Sequence, residues 1–325
     1  MPPSKPKPSE IAAEAKKSYI PYIRENYSAQ WPPTSFLCFS ESMIAPPRPS
    51  SEMLHCRFAF FESDPVDFAL SWMDPSDKTA IPVIMPANDK RAGGDWEAGV
   101  MSPEECLCRR SNLHAALTTP AAGNSASSNY PIPSKAGIYS EKVVVFRNGP
   151  DKYEPWQEYK ALPIISVCPV KRPKLDGSGK KYSFKAEKEL MRDKIRATLR
   201  IAVYYGHTRL CIGTFGLGPG FLNPTQEVAL MWRDALLKDP EFVGHFQDVV
   251  FAFEAPEGPA GASSSSTKHS SSRSSGKGSS SSSSSSKSSY LADLEIFRQV
   301  FKPSVIHGAF KSQGTPASSS SPMYT

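Results

Sequence analysis

The chain of 325 residues, 39% hydrophobic and 22% charged, holds enough apolar material for one substantial core, and its formal net charge of +6 is modest for that length. This balance fits attraction to a pyrophosphate or another polyanion without making nucleic acid a required partner. Six scattered cysteines form no Cys-x-x-Cys pair, which argues against a zinc site or a disulfide framework, and the absence of an apolar leader or of any apolar run near the length of a membrane span argues against secretion and membrane insertion.

Residues 1–50 read as an N-terminal extension packed on the main domain, with a Pro/Lys-rich start and a helix from about Glu10 through Tyr19 that Pro21 interrupts. The main domain then runs from 51 to 256. Phe58 to Phe61 has strand character and is followed by a turn, and Ile81 to Met85 has the length and β-branched content of a buried strand. That strand gives way to Pro86-Ala87-Asn88 and a loop containing Gly93, Gly94 and Asp95. Ser102-Pro103-Glu104-Glu105 supplies an N-cap, a first-turn proline and an acidic residue three positions after the cap, which is the pattern of a capping box. Two carboxylates on a first helical turn, facing a glycine loop, suit a sugar–phosphate ligand, because glycines let backbone N–H groups approach oxygen while carboxylates bind ribose hydroxyls and move protons. A purely structural role also stays open, with Glu105 as the capping partner of Ser102 and Glu104 as a charge favoured by the helix dipole.

Further along, a Pro/Ser/Asn loop over 120–136 leads to a valine-rich strand through Val143–Phe146, which Asn148-Gly149-Pro150 ends, and Leu162 to Cys168 reads as the next strand. Residues 169–176 (PVKRPKLD) resemble a short basic nuclear-localisation signal, which makes nucleus or cytoplasm the expected location. Apolar residues at Leu190, Met191, Ile195, Leu199 and Ala202 predict a helix over about 184–205 with one face on a core. A short strand at Thr208–Ile212 then runs into a second loop, Gly213 through Asn223, whose four glycines Gly213, Gly216, Gly218 and Gly220 signal close approach to a phosphate or a tight turn. Asn223-Pro224-Thr225-Gln226 offers a cap for the next helix, and Phe246 to Phe253 reads as the last strand. From 257 to 289 the chain is almost entirely polar and is expected to be a disordered insertion. Apolar periodicity returns for a closing helix over 290–311, followed by a disordered tail over 312–325.

Strands alternating with helices, with glycine loops after strands, imply a three-layer α/β/α domain with a mixed sheet. The run Ala87-Asn88, Gly93-Gly94 and Glu104-Glu105, continued by Leu107, Arg109, Ser111 and Leu113, resembles the signature of the microbial-type poly(ADP-ribose) glycohydrolases, a branch of the macrodomain superfamily. The second loop is similar to that family's Gly-x-x-Gly-x-Gly-x-Phe-x-Asn segment at Gly213, Gly216, Gly218, Phe221 and Asn223, with one extra residue around Pro219-Gly220. Two positions depart from the pattern. Asp95 stands where a third glycine belongs, adding a Cβ and a negative charge beside the ligand, and Pro103 stands where the family has glutamine.

The resemblance implies cleavage of the ribose–ribose O-glycosidic bond of poly(ADP-ribose), with Glu105 as the general acid and Glu104 holding ribose hydroxyls. It also implies that Asn88 orients the distal ribose and that Gly93, Gly94, Asp95, Gly216, Leu217, Gly218, Gly220, Phe221 and Asn223 bind ribose and pyrophosphate. No cofactor or metal is expected. The expected partners are ADP-ribose, its polymer and ADP-ribosylated proteins, and the expected state is a monomer. Asp95 and Pro103 keep two alternatives open, a macrodomain reader that binds ADP-ribose without turnover and a hydrolase of mono-ADP-ribosyl conjugates.

Overall fold

The computed structural model describes residues 6–73, 80–124, 126–254 and 282–306. Its elements, in chain order, are α1 (Pro8–Glu14), α2 (Ile20–Tyr27), β1 (Phe36–Phe39), β2 (Arg57–Phe61), α3 (Pro65–Trp72), β3 (Val83–Pro86), α4 (Pro103–Arg110), α5 (Leu113–Thr118), β4 (Ala136–Arg147), β5 (Pro155–Val167), α6 (Lys185–Tyr204), β6 (Arg209–Ile212), α7 (Thr225–Leu237), β7 (Asp248–Ala252) and α8 (Ser282–Val300). The seven strands form one mixed sheet in the order β1-β4-β5-β3-β6-β7-β2. The pairs from β5 through β2 are parallel, and β4 runs antiparallel to both β1 and β5.

Side chains leave a strand alternately on its two faces, so each strand must be apolar on both sides to sit between two helical layers. Along β3, Val83 and Met85 enter a core shared with α1 through α5, while Ile84 enters a second core shared with α6, α7 and α8. The three-layer α/β/α arrangement expected from the sequence is therefore present. β3 lies between β5 and β6, all three parallel, with Met85 opposite Ser166 and Ile84 opposite both Ile165 and Ile212. The loops that leave the carboxyl ends of β3 and β6 consequently emerge side by side, where open parallel sheets place their ligand sites.

Several local expectations change in the folded chain. Pro21 does not end the first helix. Residues Ala15–Tyr19 form a π-turn, in which the Ile20 N–H donates to Ala15 O, and α2 continues with Pro21 in its first turn. The widened turn accommodates the ring without a lost interior hydrogen bond. The turn expected after Phe61 leads into α3, where Asp64 caps the helix by accepting from the N–H groups of Val66 at 2.8 Å and Asp67 at 2.9 Å. The N-terminal stretch packs on the domain and also supplies the edge strand β1, so it shares the main core. Of the expected disordered insertion and tail, 257–281 and 312–325 lie outside the described residues. From Ser282 onward the chain already belongs to α8, eight residues ahead of the start expected at 290. Leu294 and Phe297 of this helix pack into the second core.

One buried cation holds the N-terminal helices to the sheet. Arg147, at the end of β4, donates to Ile11 O at 3.1 Å, to Arg109 O at 3.4 Å and to Glu14 Oε2 at 2.5 Å, and its guanidinium lies 4.6 Å from the centre of the Tyr19 ring. Removing it leaves the carbonyls of Ile11 and Arg109 without their donor in a dry interface, while the exposed Glu14 carboxylate returns to water. Arg147→Ala is expected to lower unfolding stability by about 2 kcal/mol in urea titration, from the two carbonyls left without a donor. A loss below about 0.5 kcal/mol would show that the aromatic packing alone holds these helices.

Candidate active site

β3 delivers Asn88 to the end of the sheet, where its side-chain Oδ1 accepts from the N–H groups of Lys90 at 2.9 Å and Arg91 at 3.2 Å, the local turn that asparagine favours. The loop then folds back over the first turn of α4. Glu104 is only 2% exposed, with Oε2 accepting the Asn88 N–H at 2.6 Å and Oε1 the Gly93 N–H at 3.2 Å. Glu105 is 8% exposed, and its Oε1 accepts the Asp95 N–H at 3.3 Å. The capping box anticipated at Ser102 does not form, since Ser102 makes no side-chain cap bond. Backbone donors of the glycine loop meet both carboxylates instead, and Glu105 also faces its own first-turn N–H.

Gly94 is required by its surroundings. Its φ is +55°, and a Cβ there would lie 2.2 Å from Glu105 Oε1, with the Asn88 amide nitrogen at 3.6 Å. A Cβ at Gly93 would meet the Cys108 sulfur at 2.8 Å, so the thiol on α4 forms the floor under this loop. The two departures from the family pattern prove structurally mild. Asp95 has φ −99°, an ordinary value for a side-chain-bearing residue, so the expected backbone barrier does not arise. Its carboxylate turns outward to pair with Arg91. Pro103 occupies the first turn of α4 and preserves the helix start.

The continuation motif has a visible purpose as well. Buried Arg109 donates through Nε to Trp96 O at 2.8 Å and through Nη2 to Val100 O at 2.6 Å, fixing the far end of the loop. The Ser111 hydroxyl donates to Leu107 O at 2.7 Å and accepts from Leu113 N–H at 3.2 Å, bending the chain from α4 into α5.

Burial shapes the acid–base chemistry of the pair. Desolvation is the main cause that pushes the Glu104 carboxyl up to about 8, helped by the neighbouring charge of Glu105 and opposed by the Asn88 and Gly93 N–H groups. Glu105 is raised too, again chiefly by burial, opposed by its own N–H, the Asp95 N–H and the Arg109 charge, with the Asp95 charge adding to the shift. Both groups thus favour the protonated form more than a carboxyl in water.

The second glycine loop lies across from α4. Gly216 has φ +80°, and a Cβ there would press on Met191 Cε at 2.8 Å and on the Asn223 amide at 3.2 Å. Asn223 does not cap α7, a place taken by Pro224 without a side-chain bond. Its amide instead donates to Gly216 O and Val170 O, each at 2.8 Å, and its Oδ1 accepts from the Tyr182 hydroxyl at 2.9 Å. The Leu217 side chain is buried in the second core, so this residue can offer a ligand only its backbone. Gly218, Gly220 and half-buried Phe221 line a narrow cleft with Pro86, Met101, Ser102, Pro103, Thr214 and Tyr290. Next to it a second hollow shares Pro86, Pro103 and Thr214 and adds Asp64, Arg110 and Glu254.

Sequence reasoning missed Tyr290, which stands at the head of the apolar pattern after the serine tract and gives no sign of its neighbour. It also missed Asp64, Arg110 and Glu254, which are far apart in the chain. Among the described residues, no group of three or more His, Cys, Asp or Glu side chains could hold a metal ion, and no helix is long and apolar enough to cross a membrane.

A glycine loop clamped over a buried glutamate pair, at the carboxyl ends of a mixed sheet between two helical layers, defines a protein of macrodomain-like architecture. Residues 12–148 match the family model described as microbial-type PARG, catalytic domain, where PARG denotes poly(ADP-ribose) glycohydrolase, and the resemblance read from the sequence is borne out over that segment. No curated protein matches the chain by sequence. Solved structures share its fold. Poly(ADP-ribose) glycohydrolase from Thermomonospora curvata superposes with a TM-score of 0.59 at 22% identity, covering 75% of this chain and 92% of that one. The same enzyme bound to the inhibitor ADP-HPD gives 0.57 at 21% identity, covering 76% and 92%. The Deinococcus radiodurans glycohydrolase in complex with ADP-ribose gives 0.56 at 18% identity, covering 89% and 98%.

Gly94→Ala is expected to lower stability by at least about 2 kcal/mol, because a left-handed backbone and contact with Glu105 both resist the methyl group. Gly220→Ala, with nothing within 4 Å of its added carbon, is the matched control and is expected to unfold like the wild type. Equal urea midpoints for the two variants would contradict the close approach at Gly94.

Proposed function

We propose that this chain is a glycohydrolase that cleaves the ribose–ribose O-glycosidic bond of poly(ADP-ribose) and releases ADP-ribose. The observation that carries this reading is the state of Glu105. Its carboxyl is raised by burial, joins no capping box with Ser102 and is held against Gly94 under the glycine loop. A general acid needs that combination, since it must keep a proton near neutral pH and deliver it at a fixed place. The proton passes from Glu105 to the departing ribose oxygen as the bond to the anomeric carbon of the distal ribose breaks. Positive charge develops on that sugar, water adds to the anomeric carbon, and the proton lost by the water restores Glu105.

Glu104 is assigned mainly to shaping the loop, because both its oxygens already accept backbone N–H groups. The Asn88 amide nitrogen, which faces Gly94, is the proposed donor to a ribose hydroxyl. The pyrophosphate lies along the backbone of Gly216, Leu217 and Gly218, where glycine permits close approach, and Phe221 packs beside the distal sugar. The ordinary backbone of Asp95 and the outward turn of its carboxylate remove the main structural objection to turnover. The polymer and proteins that carry ADP-ribose are the proposed partners.

Glu105→Gln is expected to lower release of ADP-ribose from purified polymer by at least about a hundredfold while ADP-ribose affinity in calorimetry stays within a few fold. Full activity in that variant would remove Glu105 from the acid role. Because the acid must be protonated, kcat/KM is expected to fall as pH rises through the raised pKa of Glu105. Asp95→Asn removes a charge that raises this pKa, so the falling limb is expected to move to lower pH. An unmoved or oppositely shifted limb would assign the titration to another group.

A further inference from the structure

Residues 171–181, KRPKLDGSGKK, carry five cations and one carboxylate, and they do not hang free as an extended tag. They form a folded hairpin. Leu175 bridges Tyr182, the Asp176 carboxylate accepts from the Ser178 hydroxyl at 2.7 Å and the Lys180 N–H at 3.2 Å, and the Lys174 N–H donates to Glu187 at 3.0 Å. The base of the hairpin is tied to both halves of the site. Lys171 Nζ reaches the carboxylate of Asp89, the residue after Asn88, at 2.5 Å. On the other side the Arg172 N–H donates to Phe221 O at 2.6 Å and its guanidinium to Pro219 O at 3.2 Å. Arg172 adopts φ +46°, a backbone conformation that disfavours side-chain-bearing residues and persists only where the surroundings impose it.

Lys171 and Arg172 therefore span from the catalytic loop to the glycine loop, and the hairpin continues from them through Lys174 to Lys180 and Lys181. All five cations are exposed, and Arg172, Lys180 and Lys181 have no carboxylate partner among the described residues. Asp176 is occupied in holding the turn. Exposed charge on a hairpin rooted beside the cleft suits a ligand whose anionic groups continue beyond the cleft.

We propose that this hairpin is a docking rim for the chain on the leaving side of the scissile bond, where its cations engage the pyrophosphate of the adjoining ADP-ribose units. The inference rests on the glycohydrolase reading and extends it, making a polymer end a better ligand than a single ADP-ribose. Poly(ADP-ribose) is favoured over nucleic acid because the rim is anchored at both ends of a ribose-binding cleft. A repeating polyanion gains affinity from each phosphate contact through released counterions, so the gain is sensitive to salt.

The test compares binding of size-fractionated poly(ADP-ribose), free ADP-ribose and a single-stranded oligonucleotide to E105Q protein, with and without Lys174→Ser, Lys180→Ser and Lys181→Ser combined. The E105Q protein is expected to hold polymer at least about tenfold more tightly than ADP-ribose at low salt. The triple substitution is expected to erase most of that margin and flatten its salt dependence, with ADP-ribose affinity and melting temperature unchanged. Equal affinities for polymer and ADP-ribose, a margin that survives the triple substitution, or equal retention of the oligonucleotide would each overturn the rim. Turnover by protein with native Glu105 is measured separately. Tight polymer binding without release of ADP-ribose would overturn the hydrolase reading and leave the rim standing, whereas release with no polymer margin would do the reverse.

Discussion

The site depends on backbone N–H groups donating to two buried carboxylates. Glu104 and Glu105 enter a dry interface at the start of α4, and burying such groups is costly unless donors meet them. Asn88, Gly93 and Asp95 supply those donors from the loop after β3. One set of bonds thus gives the glycine loop its shape and makes the acids tolerable in the interior. Burial still outweighs these donors, so both pKa values stay raised. The arrangement that shapes the loop is also the one that keeps both carboxyls raised.

Around this pair, the domain brings together segments that are remote in the chain. The parallel neighbours β3 and β6 set the two glycine loops beside each other, and Asn223 braces the second loop by binding Val170 and Gly216 at once. Tyr290 arrives from α8, beyond the serine tract, to face Gly218. Each contributor reaches the cleft from an element whose apolar face is buried in one of the two cores. The precision of the site therefore depends on the packing of both helical layers.

What the sequence made legible was local and periodic. The alternation of strands with helices, the glycine loops and the spacing between Gly93-Gly94 and Glu104-Glu105 depend on neighbours in the chain, and all appear in the fold. What it concealed was competition between partners. Ser102 and Glu105 have the spacing of a capping box, and Asn223 precedes a proline as a cap would, yet each side chain found a tertiary partner that local spacing could not announce. Pro21 looked like an interruption because its effect depends on whether the preceding turn can widen. Asp64 and Arg110, which pair beside the second hollow, belong to different helices, and no periodicity links them. The basic run at 171–176 was legible as charge, while its folded shape follows from contacts with Asp89 and Phe221.

The fit of Gly94 against Glu105 also constrains how such a site can change. Since an added Cβ at 94 would occupy the space of the Glu105 carboxylate, a side chain can be introduced there only if the acid retracts, as aspartate would by one methylene. The two positions are therefore epistatic. A replacement beside the shorter acid escapes the clash with the carboxylate and keeps only the cost of a left-handed backbone, while the shorter acid alone leaves a gap that the glycine cannot fill. A lineage moving between these pairings must cross a poorer intermediate, which is a physical reason for glycine and glutamate to be inherited together.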